Sequence, residues 1–97
     1  MASYILLARF TQQGRERIKD VPARIEAARK TLESLGGKLQ SIYLTLGQYD
    51  SVAVVDAPND EAIAKFSIAV GAQGNVQLES LRAFDEKQYK GLIASLP

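Results

Sequence analysis

SIYLTLGQYDSVAVVDAPND, residues 41–60, decides the fold. It joins two short runs, KLQSIYLTL at 38–46 and DSVAVVDA at 50–57, that are β-branched or alternate between apolar and polar residues, with Gly47-Gln48-Tyr49 between them. Two such runs on either side of a glycine-bearing break pair most simply as an antiparallel hairpin, with Gly47 supplying the positive φ of the turn. Pro58 stops the second run and can open a helix, where Asn59, Asp60 and Glu61 set polar and acidic groups against the N-terminal dipole. The Gly, Tyr and Asp of this stretch therefore make a structural corner first and a candidate pocket rim second.

Upstream, SYILLARF at 3–10 has the apolar and aromatic content of a strand, and TQQGRERIKD breaks the pattern. From Val21 the apolar positions Val21, Ile25, Ala28, Leu32 and Leu35 recur at helical spacing, Pro22 suits a first turn, and Gly36-Gly37 suits a C-terminal cap. Downstream, Ile63, Phe66 and Val70 fall on one face of a second helix that Gly74 can end. NVQLESLRAF at 75–84 alternates as a fourth strand, and Asp85 caps a short final helix that carries Tyr89, Leu92, Ile93 and Leu96 on one side. The order βαββαβ plus a tail helix predicts one α+β domain over residues 1–97, a split βαβ or ferredoxin-like sandwich with both main helices on one sheet face.

Alternation places Val52 and Val54 on one side of the third strand and Ala53 and Val55 on the other, so neither side is polar. The first strand sets Tyr4, Leu6, Ala8 and Phe10 against Ile5 and Leu7, and the second sets Leu39 and Tyr43 against Ile42, Leu44 and Leu46. A sheet that is apolar on both faces needs both covered. With only two main helices available, the second cover is expected to be another copy of the chain, giving a homodimer or an oligomer of such dimers.

Ninety-seven residues, 46% of them hydrophobic and 24% charged, match a small soluble domain with a single core. The net charge of +1 is far from the basic excess of a phosphate-backbone binder, and DSVAVVDA offers neither aromatic residues nor positive charge for stacking RNA bases, so no nucleic-acid partner is expected. The charge is uneven, with eight basic and four acidic residues in 1–38 and four basic and seven acidic in 39–97, which suits a solvated helix face or the orientation of an acidic ligand. Cysteine and histidine are both absent. Disulfides, thiol or imidazole catalysis and the usual zinc, haem and copper ligands go with them, and no cofactor or metal is expected. No apolar run approaches the roughly 20 residues that span a bilayer, and MASYILLARF lacks a basic leader and a cleavage site. A cytoplasmic protein without a membrane partner is the expectation.

Candidate ligand-binding residues are Tyr43, Tyr49, Asp50, Arg82 and Arg9. Asp50 is either a carboxylate base or the acceptor of a backbone N–H beside the turn, and Tyr49 either a ligand hydrogen-bonder or a cover over the hairpin. Tyr43 lines a pocket or sits at an amphipathic rim. Arg9 and Arg82 lie on neighbouring strands, where they could hold a substrate carboxylate or form ion pairs within the sheet or across a dimer. Asp56, Asp60 and Glu61 could attract a hard cation, but helix N-terminal acidity explains them better.

The residues quoted above, SIYLTLGQYDSVAVVDAPND followed by a helix and GNVQLESLRAF, together with FTQQGRERIKDVPARIEAARKTLESLGGKL before them, resemble the GYD domain family of small, mostly bacterial proteins. The likeness covers nearly the whole chain and includes the Gly47, Tyr49 and Asp50 pattern, with Asp56 and Asn59 as mild departures where such sequences carry Glu and Asp. It implies a ferredoxin-like dimeric α/β barrel and no settled reaction. The expected function is the binding of a small organic molecule, with or without cofactor-free turnover, in a pocket between sheet and helices edged by Tyr43, Tyr49, Asp50 and Arg82. The alternative is a regulatory or assembly module that acts through homo-oligomerisation alone.

Overall fold

A computed structural model describes residues 1–97. Strand β1 (Ala2–Phe10) leads through a short helix α1 (Gln12–Glu16) and a 3-10 turn (Ile18–Asp20) into helix α2 (Val21–Ser34). Strands β2 (Lys38–Leu44) and β3 (Ser51–Ala57) follow, then helix α3 (Asp60–Ala72), strand β4 (Val76–Ala83) and helix α4 (Glu86–Ala94). The four strands form one antiparallel sheet in the order β2-β3-β1-β4. This is the ferredoxin-like α+β arrangement.

The corner at 45–50 is a six-residue connection. Gly47 has φ +106°, the Thr45 N–H donates to the Asp50 carbonyl at 3.0 Å, and the Thr45 hydroxyl donates to the Tyr49 carbonyl at 2.6 Å. Gly36 and Gly74, with φ of +84° and +82°, turn the chain after α2 and α3. Pro22 stands in the first turn of α2, whereas Pro58 lies outside α3. There Asn59, in extended conformation, accepts the Ala62 N–H on its side chain at 3.0 Å and takes the cap itself. An Asn oxygen satisfies an N–H that the first helical turn leaves without a partner, which proline cannot do, and so the helix begins after Asn59.

Two local features depart from the sequence reading. TQQGRERIKD contains α1, which is too short to show a period; its N-cap Thr11 accepts the Gly14 N–H and donates its own hydroxyl to the Gly74 carbonyl at 2.6 Å. A bulge between Leu39 and Ser41 changes the face on which Leu39 lies. Leu39 pairs with Val55 and Ser41 with Val54, so Leu39 joins Ile42 and Leu44 on the helix side while Tyr43, opposite Val52, does not. A bulge inserts one unpaired residue, and every side chain beyond it swaps faces relative to simple alternation.

On the helix side Tyr4, Leu6, Ala53, Val55 and Ala57 are buried with Leu32 of α2 and Ala62, Ile63 and Phe66 of α3. The other sheet face has no cover within the chain. Ile5, Leu7, Val52 and Val54 lie there half-buried, beside the exposed Leu81. Helix α4 is closed at its start by a capping box in which Asp85 accepts the Gln88 N–H and the Gln88 side chain accepts the Asp85 N–H. It packs closely against no other element, and Tyr89, Leu92, Ile93 and Leu96 all stay at least half exposed. The molecule is accordingly elongated, 51 × 31 × 18 Å. No helix is long and apolar enough to cross a membrane.

Candidate functional site

Between the helix side of the sheet and helices α2 and α3 lies a cavity of about 240 Å³. It exists because the sheet and α2 present methyl groups where larger side chains would meet: Ala8, Ala28 and Ala53 all line it. Leu32 and Val55, each 1% exposed, are the most deeply buried residues of its wall, and Leu44, 81% exposed, stands at its open edge. Seventeen of the twenty-two lining residues are hydrophobic. The polar ones are Arg24, Arg29, Ser51, Gln73 and Asn75, and no carboxylate is among them.

Of the five residues expected to bind a ligand, only Tyr43 touches this cavity, and it does so from edge strand β2, whose register turns its side chain toward the other sheet face. Arg9 and Tyr49 meet elsewhere, near Leu7 and Glu79. The Arg9 guanidinium lies 4.7 Å from the centre of the Tyr49 ring, its Nε donates to the Gln48 carbonyl at 2.9 Å, and the Tyr49 hydroxyl donates to Glu79 Oε2 at 2.6 Å. The bond to Glu79 favours the neutral phenol and raises the Tyr49 pKa, with some desolvation added and the Arg9 charge opposing. This cluster ties the hairpin corner to β1 and β4.

Asp50 is engaged with the backbone. Its Oδ2 accepts the Phe10 N–H at 2.9 Å and its own N–H donates to the Ala8 carbonyl at 2.8 Å, which continues the β1–β3 pairing past its last regular rung. Arg82 stacks over Phe84 at 4.5 Å and over Tyr4 at 5.6 Å, and donates to the Ser3 and Ala83 carbonyls. The register sets Arg9 against Gln77 and Arg82 against Tyr4, five residues further along β1 and on the opposite face of the sheet. At about 3.4 Å per residue that is a separation of about 17 Å along the strand, so the two arginines cannot share one carboxylate. Asp60 accepts the Tyr4 hydroxyl at 2.5 Å, and Asp56 accepts from Ser3 and Gln40. No group of three or more acidic side chains converges as a metal site would need.

Arg24 is the lining residue that the candidate set lacks. The signal was present: Arg24 is three residues after Val21 and four before Ala28, on the same side of α2 as the apolar stripe. Its Nη2 donates to the Gly14 carbonyl at 3.0 Å and to the Arg17 carbonyl at 2.6 Å, at the end of α1. Gly14 makes this possible by close approach, because a Cβ there would stand 2.1 Å from the Asn75 carbonyl oxygen and 3.3 Å from Arg24 Nη1.

The GYD domain family model matches residues 4–93. The chain belongs to the GYD domain family. A curated relative from Thermus thermophilus, described as a glutamine synthetase and cystathionine beta-lyase binding protein, is 31% identical over 84 residues, 86% of this chain and 88% of that protein. Among solved structures, the GYD chain is similar to 5-chloro-2-hydroxyhydroquinone dehydrochlorinase from Burkholderia phenoliruptrix AC1100, in complex with 2,5-dihydroxybenzoquinone, at 18% identity and a TM-score of 0.61, with 90% of this chain and 97% of that one covered. It is similar also to a feast or famine regulatory protein from M. tuberculosis complexed with L-methionine, at 18% identity and a TM-score of 0.66. The match covers 88% of this chain but only 51% of the regulator. Both likenesses are of fold.

Proposed function

We propose that this GYD domain protein binds a small organic molecule in the cavity between its sheet and helices α2 and α3. The observation that carries the reading is the cavity itself, 240 Å³ of space walled mainly by hydrophobic side chains with a few polar groups, the composition of ligand sites in general. Protein interiors are closely packed, and this space, open at the Leu44 edge, is large enough to admit a small ligand. Tyr43 touches the rim from β2, while its side chain faces the other side of the sheet. In this reading Asp50 and Arg82 serve the frame, and the Arg9, Tyr49 and Glu79 cluster braces the hairpin.

Filling the space tests the reading. Ala28→Leu adds three carbons where room exists, so it should raise stability by about 1–2 kcal/mol in urea denaturation while blocking the ligand. Native mass spectrometry of untagged protein purified without additives should show a retained mass in the parent chain that A28L loses. An equal retained mass in A28L contradicts the site, as does a bare protein that takes up none of a panel of benzene-sized acids and alcohols.

A second reading is favoured by the uncovered sheet face and by the description of the T. thermophilus relative as a binder of two enzymes. In it the protein acts in the cytoplasm as an assembly or regulatory module, a homodimer paired sheet against sheet, with α4 free to lie on a partner. The two readings occupy opposite faces of the sheet and are compatible.

A further inference from the structure

We propose that the molecule taken up by the cavity is a small, mostly apolar organic anion, a benzene-sized carboxylate in chemical class, whose charged group is held by Arg24. The inference rests on the reading of the cavity as a binding site and adds the ligand's charge and size to it.

The charge follows from an imbalance in the wall. Two arginines line the cavity and no acidic residue does. Arg29 is answered by Glu26 at 3.5 Å, whereas Arg24 has no carboxylate within ion-pair distance. Its Nη2 is occupied by the Gly14 and Arg17 carbonyls, but its Nε is buried and has no hydrogen-bond partner. Buried donors without partners are rare in native proteins, and a charged one most of all. A ligand oxyanion supplies both missing things at once, an acceptor for the N–H and a counter-charge for the group.

The size follows from the volume. At 240 Å³ the space lies below the roughly 300–1,000 Å³ of pockets for drug-sized ligands and above the roughly 150 Å³ that accepts a bare benzene. A single ring, or an aliphatic chain of similar bulk, with one small anionic substituent fits between those limits. The hydrophobic majority of the wall takes the apolar part. Arg24 is held for this task before any ligand arrives, because its fork is anchored on α1 and the missing side chain at Gly14 leaves it space.

The test compares benzoate with benzyl alcohol, which have the same ring and differ in charge, by titration followed in 1H–15N spectra. The backbone amides of Ala8, Ala53 and Val70 report occupancy of the cavity, and the Arg24 Nε–Hε resonance reports the contact. The parent chain is expected to bind benzoate at least about tenfold more tightly than benzyl alcohol, the scale of one charge-assisted hydrogen bond. The Nε–Hε resonance should move with benzoate in step with the cavity amides and stay in place with the alcohol. Arg24→Met should bring the ratio of affinities to about one and leave the alcohol's own affinity unchanged. Equal affinities in the parent chain, a tenfold preference that survives in R24M, or a stationary Nε–Hε signal while the cavity amides shift overturns the inference and leaves the cavity as a binding site. Cavity amides that respond to neither compound remove both. Should R24M not fold, the Nε–Hε signal of the parent chain decides the matter alone.

Discussion

Asp50 takes the backbone-accepting alternative that its place beside the turn offers, while Arg24, which no motif marks, lines the cavity. Asp50 sits in the family's most recognisable pattern, at the start of a strand, and invites a chemical role. Its carboxylate instead accepts the Phe10 N–H, a donor that the sheet ladder cannot reach at this irregular end. Asp50→Ala is expected to leave that partly buried N–H without its partner and to cost about 1–2 kcal/mol in urea denaturation, with the affinity of the cavity for its ligand little changed. A stable D50A chain that has lost ligand binding would speak for a direct contact. Arg24 lies in a helix with no motif and was legible only as a polar residue among apolar neighbours on one side of α2. Whether such a residue turns inward or snorkels to solvent depends on what lies opposite, and the Gly14 and Arg17 carbonyls that hold it come from a segment with no periodicity.

At the scale of elements, the hairpin, both long helices and the caps at Gly36, Gly74 and Asp85 were legible because each rests on a local rule of spacing or φ. The bulge at Leu39/Ser41 and the start of α3 were not, since the first depends on pairing with β3 and the second on a contest between Pro58 and Asn59 for the same turn. One contact that joins two elements directly is the 2.5 Å bond from Tyr4 on β1 to Asp60 in the first turn of α3. Burial first, and then the bond to Asp60, raise the Tyr4 pKa above its ordinary 10.0, and Arg82 lowers it in part. The unfolded tyrosine therefore loses its proton at lower pH than the folded one. The stabilisation is complete below pH 10 and is lost as pH rises through the folded value, because the unfolded state then binds fewer protons. Stability measured by denaturant unfolding should thus fall above pH 10, and Tyr4→Phe should flatten that fall. A Y4F chain with the same alkaline slope as its parent would show that another group controls it.

At the scale of the molecule, the sheet divides the chain into a face that encloses a cavity and a face that nothing in the chain covers. Both were foreseeable from the double apolar alternation of β1 and β3. Which residues line the cavity was not, because alternation says which residues share a face but not where an interior leaves space. The open face carries the homodimer expectation: Val54, opposite Ile5 of β1, lies at its middle. Val54→Lys should convert a dimer into a monomer in sedimentation equilibrium at micromolar concentration without disturbing the cavity on the other side. A V54K protein of unchanged mass would move the interface elsewhere, α4 being the next apolar surface.

A crystal structure of the protein grown with benzoate is the measurement that decides whether the space between sheet and helices is a binding site. Density for the ring is expected against Ala8, Ala28 and Ala53, with a carboxylate oxygen about 2.7–3.2 Å from Arg24 Nε. Density found only on the open sheet face, or a helix α2 settled onto the sheet with no space beneath it, would contradict the account.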